Sequence, residues 1–243
     1  NWYNPGNWHN NTIPGLDDNA VVVTRDTVFV SSTSPALVLR NLILGDVEGL
    51  SAPIMIVSTG VISSGKWTIN KNAILTQNTL EPFKINEFLL LADGRMDHAA
   101  NGSEKKSIIN LNISGDFIME AGSTISAAGG GYAGGYGPGA PSYRTSYYAR
   151  GGGGYGGTGA GYTLITGGPG RYEYYAGLTY GSMKDPVDLG SGGGNPIYGG
   201  EYRAAGGGAV LIKVGNRMVM DGLIAADGEA PVAGIRNIRG GSG

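Results

Sequence analysis

The sequence predicts an all-β fold, a single-stranded parallel β-helix that carries a glycine- and tyrosine-rich insertion. Three observations lead there. Apolar residues nowhere hold an i, i+3, i+4, i+7 pattern over a helical window of about eleven residues. Short alternating runs recur instead, each closed by Gly, Asn, Asp, Ser or Pro. One phrase also returns along the chain, made of an apolar strand, a glycine corner, a short strand, small residues and another glycine.

The runs are Ala20–Val30, Ala36–Leu44, Ile54–Val57, Lys66–Leu75, Phe88–Leu91, Ile108–Ile113 and Val210–Val214. A strand alternates its side chains between two faces. Ile109, Leu111 and Ile113 are therefore expected to point inward, as are Val210, Ile212 and Val214.

The phrase occurs as Ile118–Gly129 and is answered by Met218–Gly228. Leu89–Gly102 is a third version and Ile56–Gly65 a shorter one. Their corner glycines fall at 60, 94, 122 and 222. The last interval is the long one, as it would be if the glycine-rich block were inserted between neighbouring units. Repeats of this length, with short strands, describe coils that stack into aliphatic ladders no single coil could bury. The alternative is a β-sandwich of hairpins. Hairpin dipeptides for it exist at Asp93, Asn101, Asp221 and Asp227, each followed by glycine.

Residues 129–208 hold 29 of the 46 glycines and 13 of the 14 tyrosines. Glycine loses much backbone entropy on ordering, yet it lets backbones approach closely. The block is expected to form a surface elaboration, with extended polyproline-II-like strands packed side by side as one ordered form. Tyrosine offers a flat apolar face and a hydroxyl at low entropy cost. Tyr132, Tyr136, Tyr147, Tyr148, Tyr155, Tyr172, Tyr174 and Tyr175 are the candidate ligand or assembly surface. Their bland role is to lie over the glycine backbone and pack the loop.

Trp2 and Trp8 sit in a segment, residues 1–16, expected to cap the open core against edge-to-edge growth. The chain, residues 1–243, reads as one domain whose carboxyl end is truncated or continues. Asn1–Trp8 followed by Ile13–Val23 resembles the opening of secreted β-helical proteins. Leu189–Gly194, Gly206–Val214 and the strand, Asp-Gly, Ile-Ala-Ala-Asp-Gly phrase after them resemble the glycine-rich modules of large secreted or surface, adhesin-like proteins. The resemblance implies a right-handed parallel β-helix in an extracellular, repetitive or adhesive protein. It carries over no catalytic residue.

The remaining chemistry is mostly exclusion. Net charge is −2 and charged residues are 15% of the chain, so no basic footprint for nucleic acid is present. No apolar run has the length of a membrane span. There is no cysteine, hence no disulfide, thiolate site or Cys nucleophile. His9 and His98 are the only histidines and lie far apart in sequence. No glycine run is followed by the Lys-Ser/Thr of a phosphate loop.

Asp17 with Asp18, Asp46 with Glu48, Asp93 with Asp97, and Asp185 with Asp188 are the acidic pairs that could serve a glycosidic bond or hold a calcium ion through oxygen ligands. No cofactor other than such a calcium is expected. Asn10, Asn101 and Asn112 head Asn-X-Ser/Thr sequons, candidates for glycosylation.

The expectation is a non-catalytic extracellular or cell-surface protein, structural or adhesive. It would be a rigid rod or filament subunit presenting tyrosines to glycans, to copies of itself or to a larger surface protein. The rival is a carbohydrate-active enzyme on the same fold, a polysaccharide lyase, a hydrolase or a phage-type depolymerase.

Overall fold

In the computed structural model the residues described are 1–32, 35–141, 151–159, 162–165, 171–174, 176–182, 184–194, 204–230 and 241–242. They divide into two compact units. The first takes Asn1–Ala99, Ser107–Ser126 and Leu211–Ala225. The second takes Ala100–Lys106, Ala127–Val210 and Ala226–Gly243, which is the expected insertion with two flanking pieces added.

The β-branched runs of the first unit form short strands because turn residues break each run. The strands are β1 (Asn19–Val22), β2 (Thr27–Val30), β3 (Leu37–Leu39), β4 (Asn41–Leu44), β5 (Ile54–Val57) and β6 (Val61–Ile69). They continue as β7 (Ile74–Gln77), β8 (Phe83–Leu90), β9 (Arg95–His98), β10 (Ile109–Ile113), β11 (Phe117–Met119) and β12 (Thr124–Ser126). A two-stranded antiparallel sheet, β13 (Tyr162–Ile165) with β14 (Arg171–Tyr174), lies in the second unit. The last three are β15 (Val210–Val214), β16 (Met218–Met220) and β17 (Leu223–Ala225).

Two larger sheets hold the rest, and their described pairings are parallel. The second of them runs β2-β5-β7-β9-β12-β17. The first contains two rows. One follows β3, the front half of β6, the front half of β8, and then β10 and β15. The other follows β1, β4, the back halves of β6 and β8, and then β11 and β16. From β3 onward each pass visits the three rows in one order, and the fold is thus all-β and compatible with a parallel β-helix. A sandwich of hairpins needs antiparallel neighbours, which the described pairs of these two sheets do not supply.

Alternation sets the core. Ile109, Leu111 and Ile113 are buried, while Asn110 is half-buried and Asn112 exposed. Inward positions stack in register: Leu42, Trp67, Phe88 and Phe117 in one row, and Met55, Leu75, Met96 and Ile125 in the second sheet. The corner between these rows needs a left-handed backbone. Asn72, Asp93 and Gly122 supply it on three passes, at φ 61°, 59° and 85°.

On the last pass the expected burial is incomplete. Val210, Ile212 and Val214 are only half-buried, and Met218 and Met220 are 47% and 52% exposed. The reason is pairing: among the described residues β16 borders β11 alone and β17 borders β12 alone, so no further described strand stacks on this pass.

In the second unit, segments 131–137, 151–154, 189–194 and 204–208 belong to no helix or strand, yet their backbones bond to one another. Gly190 donates to Gly207 (2.8 Å), Gly193 to Ala204 (3.0 Å), Gly192 to Tyr136 (3.0 Å) and Gly194 to Gly151 (2.8 Å). Ser242 in turn donates to Ser191 (3.0 Å). A β-strand has two neighbours in one plane, whereas the 190–194 segment bonds to four others. This is a bundle of backbones, and close approach explains its composition. A Cβ at Gly139 would stand 2.5 Å from the Gly154 oxygen and 2.6 Å from the Tyr180 ring.

Candidate functional site

The rings of Tyr132, Tyr155 and Tyr180 lie close against glycine backbone, at Gly137, Gly181 and Gly139. The Tyr155 and Tyr180 rings meet edge-on, centroids 5.1 Å apart at 84°. The Tyr180 hydroxyl donates to the Leu189 carbonyl and accepts from Ser191 Oγ at 2.9 Å. Burial pushes both hydroxyls above the ordinary tyrosine value, so neither is suited to act as a base. Tyr132 is half-buried beside Gly137, where a Cβ would come 2.7 Å from its ring. Tyr136 is 45% exposed and presents itself to solvent. The strand β14 includes Tyr172 and Tyr174 in its backbone; Tyr147, Tyr148 and Tyr175 lie outside the described residues.

At least one member of each acidic pair is engaged, by turn amides or by a cation. Asp46 accepts from the amides of Glu48 (3.0 Å), Leu50 (3.0 Å) and Ser51 (2.5 Å), and also from the Ser51 hydroxyl. These donors, the Ser51 hydroxyl foremost, hold its carboxyl far below the usual aspartate range, which suits a loop clamp and not a proton carrier. Asp18 accepts from the Gly15 amide at 2.8 Å. Lys71 pairs with Asp93 at 3.6 Å, and Arg95 with Asp97 at 3.2 Å, where Thr76 Oγ1 also donates at 2.6 Å. Lys105 faces Asp188 at 3.8 Å. Among the described residues no group of three or more His, Asp or Glu could hold a metal ion. No helix among them is long and apolar enough to cross a membrane.

The sequons differ in reach. Asn10 and Asn112 are exposed. Asn101 is 2% exposed, its Nδ2 donates to Gly130 O at 2.7 Å, and its Oδ1 accepts from the Lys106 amide at 2.6 Å. The nitrogen a glycan would be joined to is thus already committed. His98 is buried too, with Nδ1 2.8 Å from Ala99 O and Nε2 without a partner, and burial lowers its pKa.

Sequence reasoning missed a cleft of about 860 Å³ in the first unit. Its walls are the amino-terminal segment, including Trp2, Trp8 and Asn7, and the strands β1 and β2. The Trp8 indole donates to Trp2 O at 2.6 Å, and the two rings stand 4.6 Å apart at 68°. Trp2 is buried and its amide donates to Phe29 O at 2.9 Å, consistent with a cap. Its indole N–H has no partner. The tryptophans were legible in the sequence; that the cap leaves a cleft beside β1 was not.

No family model, curated protein or solved structure matches the chain.

Proposed function

We propose that the chain is a non-catalytic, extracellular structural or adhesive protein: a right-handed parallel β-helix carrying a glycine-bundled unit that presents tyrosine and backbone groups to glycans or neighbouring subunits. The observation that carries this reading is the bundle. A unit whose segments are joined by backbone hydrogen bonds through glycine is ordered without a large apolar core, which leaves aromatic faces such as Tyr136 free for contact. Of the candidate carboxylates, those of Asp18, Asp46, Asp93, Asp97 and Asp188 are engaged by turn amides or ion pairs, which supports a non-catalytic reading.

The test replaces Tyr136, Tyr172 and Tyr174 together by Ala. Retention on immobilised glycans or self-association in sedimentation should fall at least several-fold, with the far-UV signature of β structure unchanged. Loss of β structure would make these rings scaffold; unchanged retention and association would remove the tyrosines from the function.

A further inference from the structure

We propose that the cleft between the amino-terminal segment and β1 binds a neutral saccharide of two or three rings. The inference rests on the glycan-contacting reading above and adds to it a site the tyrosines do not form. Its size, about 860 Å³, is that of ordinary small-ligand pockets.

The chemistry of the walls points to a sugar. Trp8 is half-buried, and its indole N–H is spent on Trp2 O, which fixes the ring as a platform before any ligand arrives. Sugar rings present C–H faces that lie against such a surface. Trp2 is 1% exposed and lines the same cleft, packed edge-on against Trp8, which holds the platform in place from behind. Along β1, the carbonyls of Asp18 and Val22 accept from Arg40 and Gly45 on the β4 side. Alternation turns the backbone groups of Val21 the other way, to the cleft it lines. Donors and acceptors side by side match hydroxyls, which are both.

Charge narrows the class. Asp18 and Asp26 line the cleft, and none of the described residues lining it is lysine or arginine, which disfavours uronates. On the β2 side the Trp2 amide already donates to Phe29 O, so the amino-terminal segment bounds the cleft there.

The full chain is titrated with cellotriose, mannotriose, chitotriose and, as the acidic comparator, trigalacturonate, while indole fluorescence is followed. At least one neutral trisaccharide should give a saturable change, and trigalacturonate should bind at least tenfold more weakly. Trp8→Ala should weaken binding tenfold or more. Asp26→Asn, an exposed change that leaves the fold in place, should narrow the gap to trigalacturonate several-fold. A flat response to all three neutral sugars, equal affinity for trigalacturonate, affinities unchanged in both variants, or saturation only with an extended peptide would each overturn the proposal. Binding lost in Tyr136→Ala but kept in Trp8→Ala would overturn the cleft and leave the adhesive reading standing. Cleft binding with adhesion indifferent to the tyrosines would do the reverse.

Discussion

The Phe88 ring stacks on the Phe117 ring, centroids 5.9 Å apart and planes within 6°, because the two residues occupy the same position on successive strands of one row. Both are fully buried. Trp67 holds the same position one pass earlier and Met218 one pass later. Trp67, Phe88 and Phe117 are thus a column of aromatic residues, each covered by the pass on either side.

Phe88→Ala should therefore cost about 3–5 kcal/mol, the range for large aromatic truncations in a packed core. Met218→Ala, in the same column but half open to solvent, should cost well under half as much. Chemical denaturation of both variants checks the contrast.

The glycine bundle gives a second contrast. Gly139→Ala would drive a methyl group against the Gly154 carbonyl and the Tyr180 ring, and overpacking of this kind costs about 1–3 kcal/mol. Gly157 has nothing within 4 Å of its would-be Cβ. Gly157→Ala should be neutral or stabilise by about 0.4–1 kcal/mol through the unfolded chain. Proteolysis rates of the two variants against the parent report the difference.

His98 makes stability depend on pH. Its pKa is lowered in the fold by burial, so the unfolded chain takes up the proton first as pH falls. Stability due to neutral His98 is complete above the unfolded value of about 6.5 and is lost as pH falls from there toward the folded value. Urea midpoints measured between pH 8 and pH 5 should decline across that window, and His98→Phe should flatten the decline.

Asp46 acts in a lower window. Its folded pKa is depressed, so its contribution is present above the ordinary aspartate value of 3.8 and disappears as pH falls further. Asp46→Ala should lower Tm at pH 7, and its deficit against the parent should shrink steadily as pH falls below 3.8, provided both still unfold cooperatively there.

Much of this architecture was legible because a strand's period of two and its turn residues are written locally. The phrases at 89–102, 118–129 and 218–228 do stack, with Leu90, Met119 and Met220 in one row. The phrase at 56–65 is different. Gly60 lies between β5 and β6, at the corner from the second sheet back to the first, and the matching corner on that pass is formed by Asn72. The backbone there requires positive φ, which Asn and Asp tolerate as well as Gly, so a search keyed on glycine missed it. The cleft was illegible for another reason: it depends on the amino-terminal segment bonding to β2 beside the outermost described strand, β1, a long-range choice with no local signature.

The most direct measurement of the central claim is to incubate the chain with a panel of polysaccharides, scoring retention and newly formed reducing ends in the same tubes. The account predicts retention of at least one polysaccharide with no new ends, and loss of that retention in the triple tyrosine variant. New reducing ends that vanish when Asp93 and Asp97, or Asp185 and Asp188, are replaced by Asn would contradict it and make the protein an enzyme.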